Sequence, residues 1–253
     1  MHNQLWSTFL FLLLLLVPMV YLPRFLQREI QAVFLVITRQ ADLSMSLFAL
    51  LFLPGVLLHE SSHFIMAQIL GVRTGRFSIM PKKIDEGRIR LGYVETAQTD
   101  FFRDALIGIA PMLTGGVFVS LVGVYRLGLD TVWSSLIQGQ LQAISQAFGT
   151  IIHQPDFWLW FYLVFTVSST MMPSASDRRS WLPIGLMVLG LLGLILLIGL
   201  GPWLATRLEG GLILALNAIN TVFGITILIH FLLLPPTWLF RKLLSRITGI
   251  KVV

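Results

Sequence analysis

Six stretches of this sequence are apolar for long enough to cross a lipid bilayer, and no other feature limits the fold so tightly. A helix rises 1.5 Å per residue, so about 20 apolar residues are needed to cover the hydrocarbon layer. Such runs fall near residues 5–23, 45–70, 103–125, 157–175, 183–205 and 211–234. In hydrocarbon every backbone N–H and C=O must be satisfied within the protein, which points apolar spans to α-helix. Only 12% of the 253 residues are charged, against about a quarter in a soluble domain. The expected fold is an all-α, polytopic, multi-pass membrane protein with about six transmembrane helices.

The polar stretch between the second and third runs, Arg73 to Asp104, carries much of the charge. Within it Arg76–Ile79 and Arg88–Thr96 alternate like short strands around a Pro81–Gly87 turn, which predicts a small membrane-associated β-hairpin. At the other end, Thr237–Ile247 follows Pro235–Pro236 and mixes Trp238, Leu239 and Phe240 with Arg241, Lys242 and Arg246. That mixture predicts an interfacial amphipathic helix over 237–247. The first run has no basic residue before it and no small-residue cleavage site after it, so it reads as a retained span. The whole chain, 1–253, is expected to form one membrane-embedded domain. Its core covers about 45–180, with peripheral helices in 1–44 and 181–234.

The formal net charge is +6. In such a chain Lys and Arg hold loops on the cytoplasmic side and meet anionic lipid head groups. No basic run is interleaved with stacking aromatics, so nucleic acid is not an expected partner. Threading six spans from a cytoplasmic N-terminus puts thirteen Lys and Arg inside. Five lie outside: Arg24, Arg28, Arg39, Arg126 and Arg207. The chain has no cysteine, which excludes disulfides and thiolate metal sites. Any metal must be held by His, Asp or Glu.

The chemistry-bearing motif is His59-Glu60-Ser61-Ser62-His63, inside the second apolar run. Positions i and i+4 share a helix face. His59 and His63 can therefore both reach one zinc ion, with Glu60 beside them as general base. Glu60 is the only acid of twelve deep within a membrane-length run. A carboxylate there costs several kcal/mol unless it is paired or functional. The plainer reading is a polar clamp between helices.

A catalytic zinc site takes three protein ligands and keeps one position open. His2 is terminal, His153 falls in a loop and His230 lies in the last span, where a hydrogen-bonded structural role is expected. Asp177 follows a proline break at Met172-Pro173, at the end of the fourth run. It is the best candidate third ligand. A helix cap or an ion pair with Arg178 or Arg179 is the alternative.

Taken together, these segments resemble the site-2 protease family of intramembrane zinc metalloproteases. HESSH matches the family's histidine–glutamate–x–x–histidine helix. Gly71-Val72, Phe77-Ser78-Ile79 and Gly92-Tyr93-Val94 resemble the segment that forms a β-hairpin re-entering the membrane. Ala110-Pro111 resembles the family's glycine–proline element, and Met172-Pro173 with Asp177 its proline segment ending in leucine–aspartate–glycine. Asp177 sits one residue closer to its proline than usual, with Arg178 in place of the glycine. Thr114 and Thr170 stand where relatives carry asparagines that hold substrate. The resemblance implies one zinc per chain, held by His59, His63 and Asp177, with Glu60 as base. It also implies substrate contacts from Thr114, Thr170, Tyr93 and Val94, the last two by strand addition. The expected activity is hydrolysis of peptide bonds in or near transmembrane segments of membrane proteins. The expected place is the cell membrane of a prokaryote, with the site opening to the cytoplasm. A metal transporter or channel, or an inert homologue that binds membrane helices, are the alternative classes.

Overall fold

The computed structural model describes residues 2–83 and 89–250. It is helical apart from a strand-rich insertion. In chain order the elements are α1 (His2–Thr38), α2 (Ala41–Ile69), β1 (Thr74–Ser78), β2 (Lys82–Lys83), β3 (Ile89–Arg90), β4 (Tyr93–Thr96) and α3 (Phe101–Tyr125). Then follow α4 (Leu129–Ile137), α5 (Leu141–Ile152), α6 (Phe157–Thr170), α7 (Trp181–Leu197) and α8 (Gly201–Thr248). Four helices, α1, α2, α3 and α8, are long and apolar enough to cross a membrane, while α6 and α7 are shorter apolar helices of 14 and 17 residues. The outer surface is of the kind lipid solvates. Among the described residues α7 buries none of its side chains, and Leu186, Leu189 and Leu196 are each more than 60% exposed.

Two expectations are corrected at the chain ends. The threading that puts Arg24 and Arg28 outside makes residues 25–37 a connection after the first span, apolar enough to lie in the interface or re-enter. These residues instead continue α1, which contains Pro18 and Pro23. Likewise α8 runs unbroken through Pro235–Pro236, so Thr237–Ile247 is the last part of a long helix and not a separate interfacial one. Proline deletes one backbone hydrogen bond and bends a helix. Here each helix has the other as a splint. Asn220 Nδ2 donates to Thr8 O, and Arg241 Nε donates to the buried carboxylate of Glu29. Both pairs are 212 residues apart in sequence, so α1 and α8 lie side by side and run in the same direction. Strict alternation of six spans would make the first and sixth antiparallel. The count of thirteen basic residues against five therefore does not stand as drawn.

The main hydrophobic cluster joins Phe48, Phe52 and Val56 of α2 to Val119 of α3, Val164 and Phe165 of α6, Met19 and Leu26 of α1, and Ile225 and Ile229 of α8. The expected core of α2, α3 and α6 is present, but α1 and α8 belong to it instead of lying at its edge. Gly55 explains how α2 and α6 come so close. A Cβ there would strike the backbone of Thr166 and stand 2.5 Å from Thr170 Oγ1. The residues between α3 and α6, expected to form a connection, fold into the short helices α4 and α5.

The strand-rich insertion is the predicted hairpin. β1 pairs antiparallel with β4, with Phe77 opposite Val94 and Ser78 opposite Tyr93, and β2 pairs with β3 further out. The expected Pro81–Gly87 turn lies largely at residues 84–88, outside the described residues. Leu91-Gly92 interrupts the second arm where its backbone passes α2.

Candidate metal centre

His59 and His63 are one turn apart on α2, and their Nε2 atoms face each other at 3.2 Å. The ring of His63 is fixed from behind, because its Nδ1 lies 2.8 Å from the carbonyl oxygen of Ile107 on α3. A carbonyl can only accept, so Nδ1 carries the proton and the Nε2 lone pair is left for a metal. Ser62, between the two histidines, shares a hydrogen bond with Thr114 Oγ1 and ties α2 to α3.

Asp177 is delivered by the turn that follows α6. Pro173 ends the helix and is buried, and Ser174 N donates to Asp177 Oδ2 at 2.7 Å. The two neighbouring arginines do not neutralise the acid. Arg178 Nε donates to Ser174 O, and Arg179 makes a two-bond fork with Asp104 at the start of α3. Ser180 Oγ donates to the same Asp104 carboxylate at 2.6 Å. Asp104 thus clasps the turn to α3. Gly108 allows the fit, since a Cβ at that position would collide with the carbonyl oxygen of Asp177.

Asp177 Oδ1 lies 3.5 Å from His63 Nε2, and Oδ2 lies 3.9 Å from His59 Nε2. Donors about 2.0–2.1 Å from a tetrahedral zinc are spaced about 3.3 Å from one another. The two Asp177 separations reach different carboxylate oxygens; with one donor atom from each residue, all three lie within 4.8 Å of one another, close enough that the group could hold a metal ion. Burial pushes the Asp177 carboxyl up. The adjacent His63 ring and the Ser174 donors outweigh this and hold it well below the usual carboxylate range, so it is ionised at neutral pH. His59, His63 and Asp177 could hold a metal ion, and among the described residues no other such trio comes together.

The cluster lies in the wall of a cavity of about 660 Å³. Glu60, 8% exposed, lines the same cavity beside the histidines. From the hairpin come Leu91, Gly92, Val94 and Thr96, from α3 Asp104 and Ile107, and from the turn Ser174 to Asp177 with Arg179. Gly92 presses its backbone against α2. A Cβ on it would lie 2.9 Å from both Glu60 Cγ and Val56 Cγ1.

The residues expected to contact substrate divide. Val94 and Thr170 line the cavity, whereas Thr114 and Tyr93 are not among its lining residues. Thr114 serves the α2–α3 junction and also donates to Ala110 O. Thr170 donates back into its own helix, to Thr166 O at 3.0 Å. His230 is fully buried and bonded to Ser169 Oγ and Thr226 O, the structural role expected of it. His153 bonds Gly149 O at the end of α5, far along the chain from the cluster. Lining residues that carried no sequence signal include Gln27 and Asp104. Arg179, a candidate ion-pair partner of Asp177, instead pairs with Asp104. No protein-family model, curated protein or solved structure matches this chain.

Proposed function

We propose that this chain is an intramembrane zinc metalloprotease of the site-2 type, cleaving peptide bonds in or near transmembrane segments of membrane proteins. The observation that supports the proposal is the convergence of three candidate metal donors, within 4.8 Å of one another, with one buried carboxylate, Glu60, in one cavity. His59 Nε2, His63 Nε2 and Asp177 would hold one zinc per chain. When bound, zinc supplies a Lewis acid that polarises the scissile carbonyl and acidifies water. Glu60 takes the proton of the attacking water and returns it to the leaving amine. Ile107 O holds the His63 ring, and the Asp104 clasp holds the Asp177 turn, so the donors are arranged before substrate arrives.

A transmembrane helix must unwind before cleavage, because its carbonyls are already hydrogen-bonded. The β4 edge that carries Val94 into the cavity offers an extended segment a strand to pair with. Four long apolar helices, with the shorter α6 and α7, form the membrane-embedded part in this reading. The mouth of the site is assigned to the cytoplasmic face of a cell membrane, because Arg73, Arg76, Arg103, Arg178 and Arg179 are all exposed at that end. An impermeant thiol reagent outside intact cells should therefore miss a cysteine substituted for Arg76, and labelling there would reverse the assignment. One donor cluster among the described residues favours a resident metal over a conducted one.

The test is metal analysis of the purified protein together with cleavage of a single-span test substrate. Glu60→Gln should abolish cleavage and keep about one zinc per chain. Equal turnover by that variant would sink the protease mechanism. Loss of zinc would make Glu60 a ligand instead of the base.

A further inference from the structure

Gln27 reaches the metal cavity from α1, a helix that contributes nothing else to it. Its position has a local cause. Ser169 sits in the last turn of α6, and the residue four positions on, whose N–H would normally bond the Ser169 carbonyl, is Pro173. Proline has no N–H. Gln27 Nε2 supplies the missing donor to Ser169 O at 2.9 Å, across 142 residues of sequence. That bond fixes the plane of the amide. Among the described residues it is the only hydrogen bond of the Gln27 side chain, so the second N–H and Oε1 are free at the cavity wall.

The threonines at the family's asparagine positions do not offer this pair. Thr170 donates back to Thr166 O, and Thr114 is outside the cavity lining. A carboxamide with one free N–H and one free C=O matches the C=O and N–H of an extended peptide and is indifferent to its side chains.

We propose that Gln27 is a substrate-binding residue that holds the backbone of the unwound segment, the role for which this chain has no asparagine. This rests on the protease reading. It makes the substrate class an extended main chain gripped through its amides, with sequence preference arising from ease of unwinding.

The experiment separates binding from capping. In detergent-solubilised protein with a single-span test substrate, Gln27→Leu should raise KM about tenfold, as expected for the loss of one well-placed hydrogen-bonding group. kcat and zinc content should stay close to wild type. Unchanged KM, with the effect confined to zinc content or melting temperature, would reduce Gln27 to a helix cap and overturn the proposal. A second measurement does not need turnover. A benzophenone amino acid replacing Gln27 in the Glu60→Gln background should capture the substrate on irradiation, whereas one replacing the exposed Leu14 of the same helix should not. Equal capture at both positions, or none at position 27, overturns the proposal even if cleavage is normal. If wild-type cleavage proves independent of Glu60, the protease reading fails and the proposal falls with it.

Discussion

Replacing Gly92 with alanine tests the placement of Glu60 with a single methyl group. Gly92 is outside the left-handed region, so the substitution adds crowding without backbone strain. The new Cβ would stand 2.9 Å from Glu60 Cγ, 2.9 Å from Val56 Cγ1 and 3.1 Å from the carbonyl oxygen of Ser78. Non-bonded carbons rest about 3.5–4.0 Å apart, so the side chain of Glu60 or the hairpin must retreat by roughly 0.6–1 Å. Val56 is packed in the core and the Ser78 carbonyl belongs to a paired strand, which leaves Glu60 as the part that yields. A misplacement of about 1 Å at a reacting group costs on the order of 100-fold in rate. The methyl group meets Glu60 and Val56 and not the donor trio, so zinc content should hold. The assay is kcat for a single-span substrate with zinc measured on the same preparation, and Gly190→Ala as control, since nothing lies within 4 Å of a Cβ there. A Gly92→Ala enzyme within about threefold of wild-type kcat would refute the argument that this contact sets the position of the base.

Three further outcomes follow from the same geometry. Asp177→Ala should lose most of its zinc and all cleavage, while His153→Ala and His230→Ala keep both; a zinc-replete, active Asp177→Ala protein would remove the third ligand. Asp104→Asn loosens the clasp on the Asp177 turn without touching the metal donors, so zinc affinity in a chelator competition should fall about tenfold; unchanged affinity would mean that the turn stands without it. Proline at Val94 should weaken substrate cleavage more than zinc binding, because it removes a backbone donor from the β4 edge, and equal loss of both would count against strand addition.

The His59–His63 pair was legible because its signal is local: two histidines four apart need only the helical period to share a face. The hairpin was legible for the same reason, from alternation. Asp177 could be reached by elimination, since no cysteine competes and the other histidines lie elsewhere. What escaped was set by contacts across long separations. Pro235–Pro236 read as a break, but α1 and α8 brace one another through Glu29–Arg241 and Asn220–Thr8, and tertiary packing outweighed local propensity. Gln27 was hidden for the same reason. It matters only because a proline 146 positions further on leaves a carbonyl without its donor. Thr114 illustrates the reverse, a residue in a suggestive position whose hydroxyl is taken up in joining two helices.

The parallel pairing of α1 with α8 has a consequence for how the protein is made. The first helix to leave the ribosome must wait about 200 residues for its partner, while α2, α3 and α6 are complete before α8 begins. Chains emerge at roughly 5–20 residues per second, and Asn220 and Arg241 follow Asp177 by 43 and 64 residues, so the three candidate donors exist for roughly 2–13 seconds before α1 can be locked beside α8. A chain that stops before α8 therefore keeps α1, with Pro18 and Pro23 inside it, without the helix that splints it.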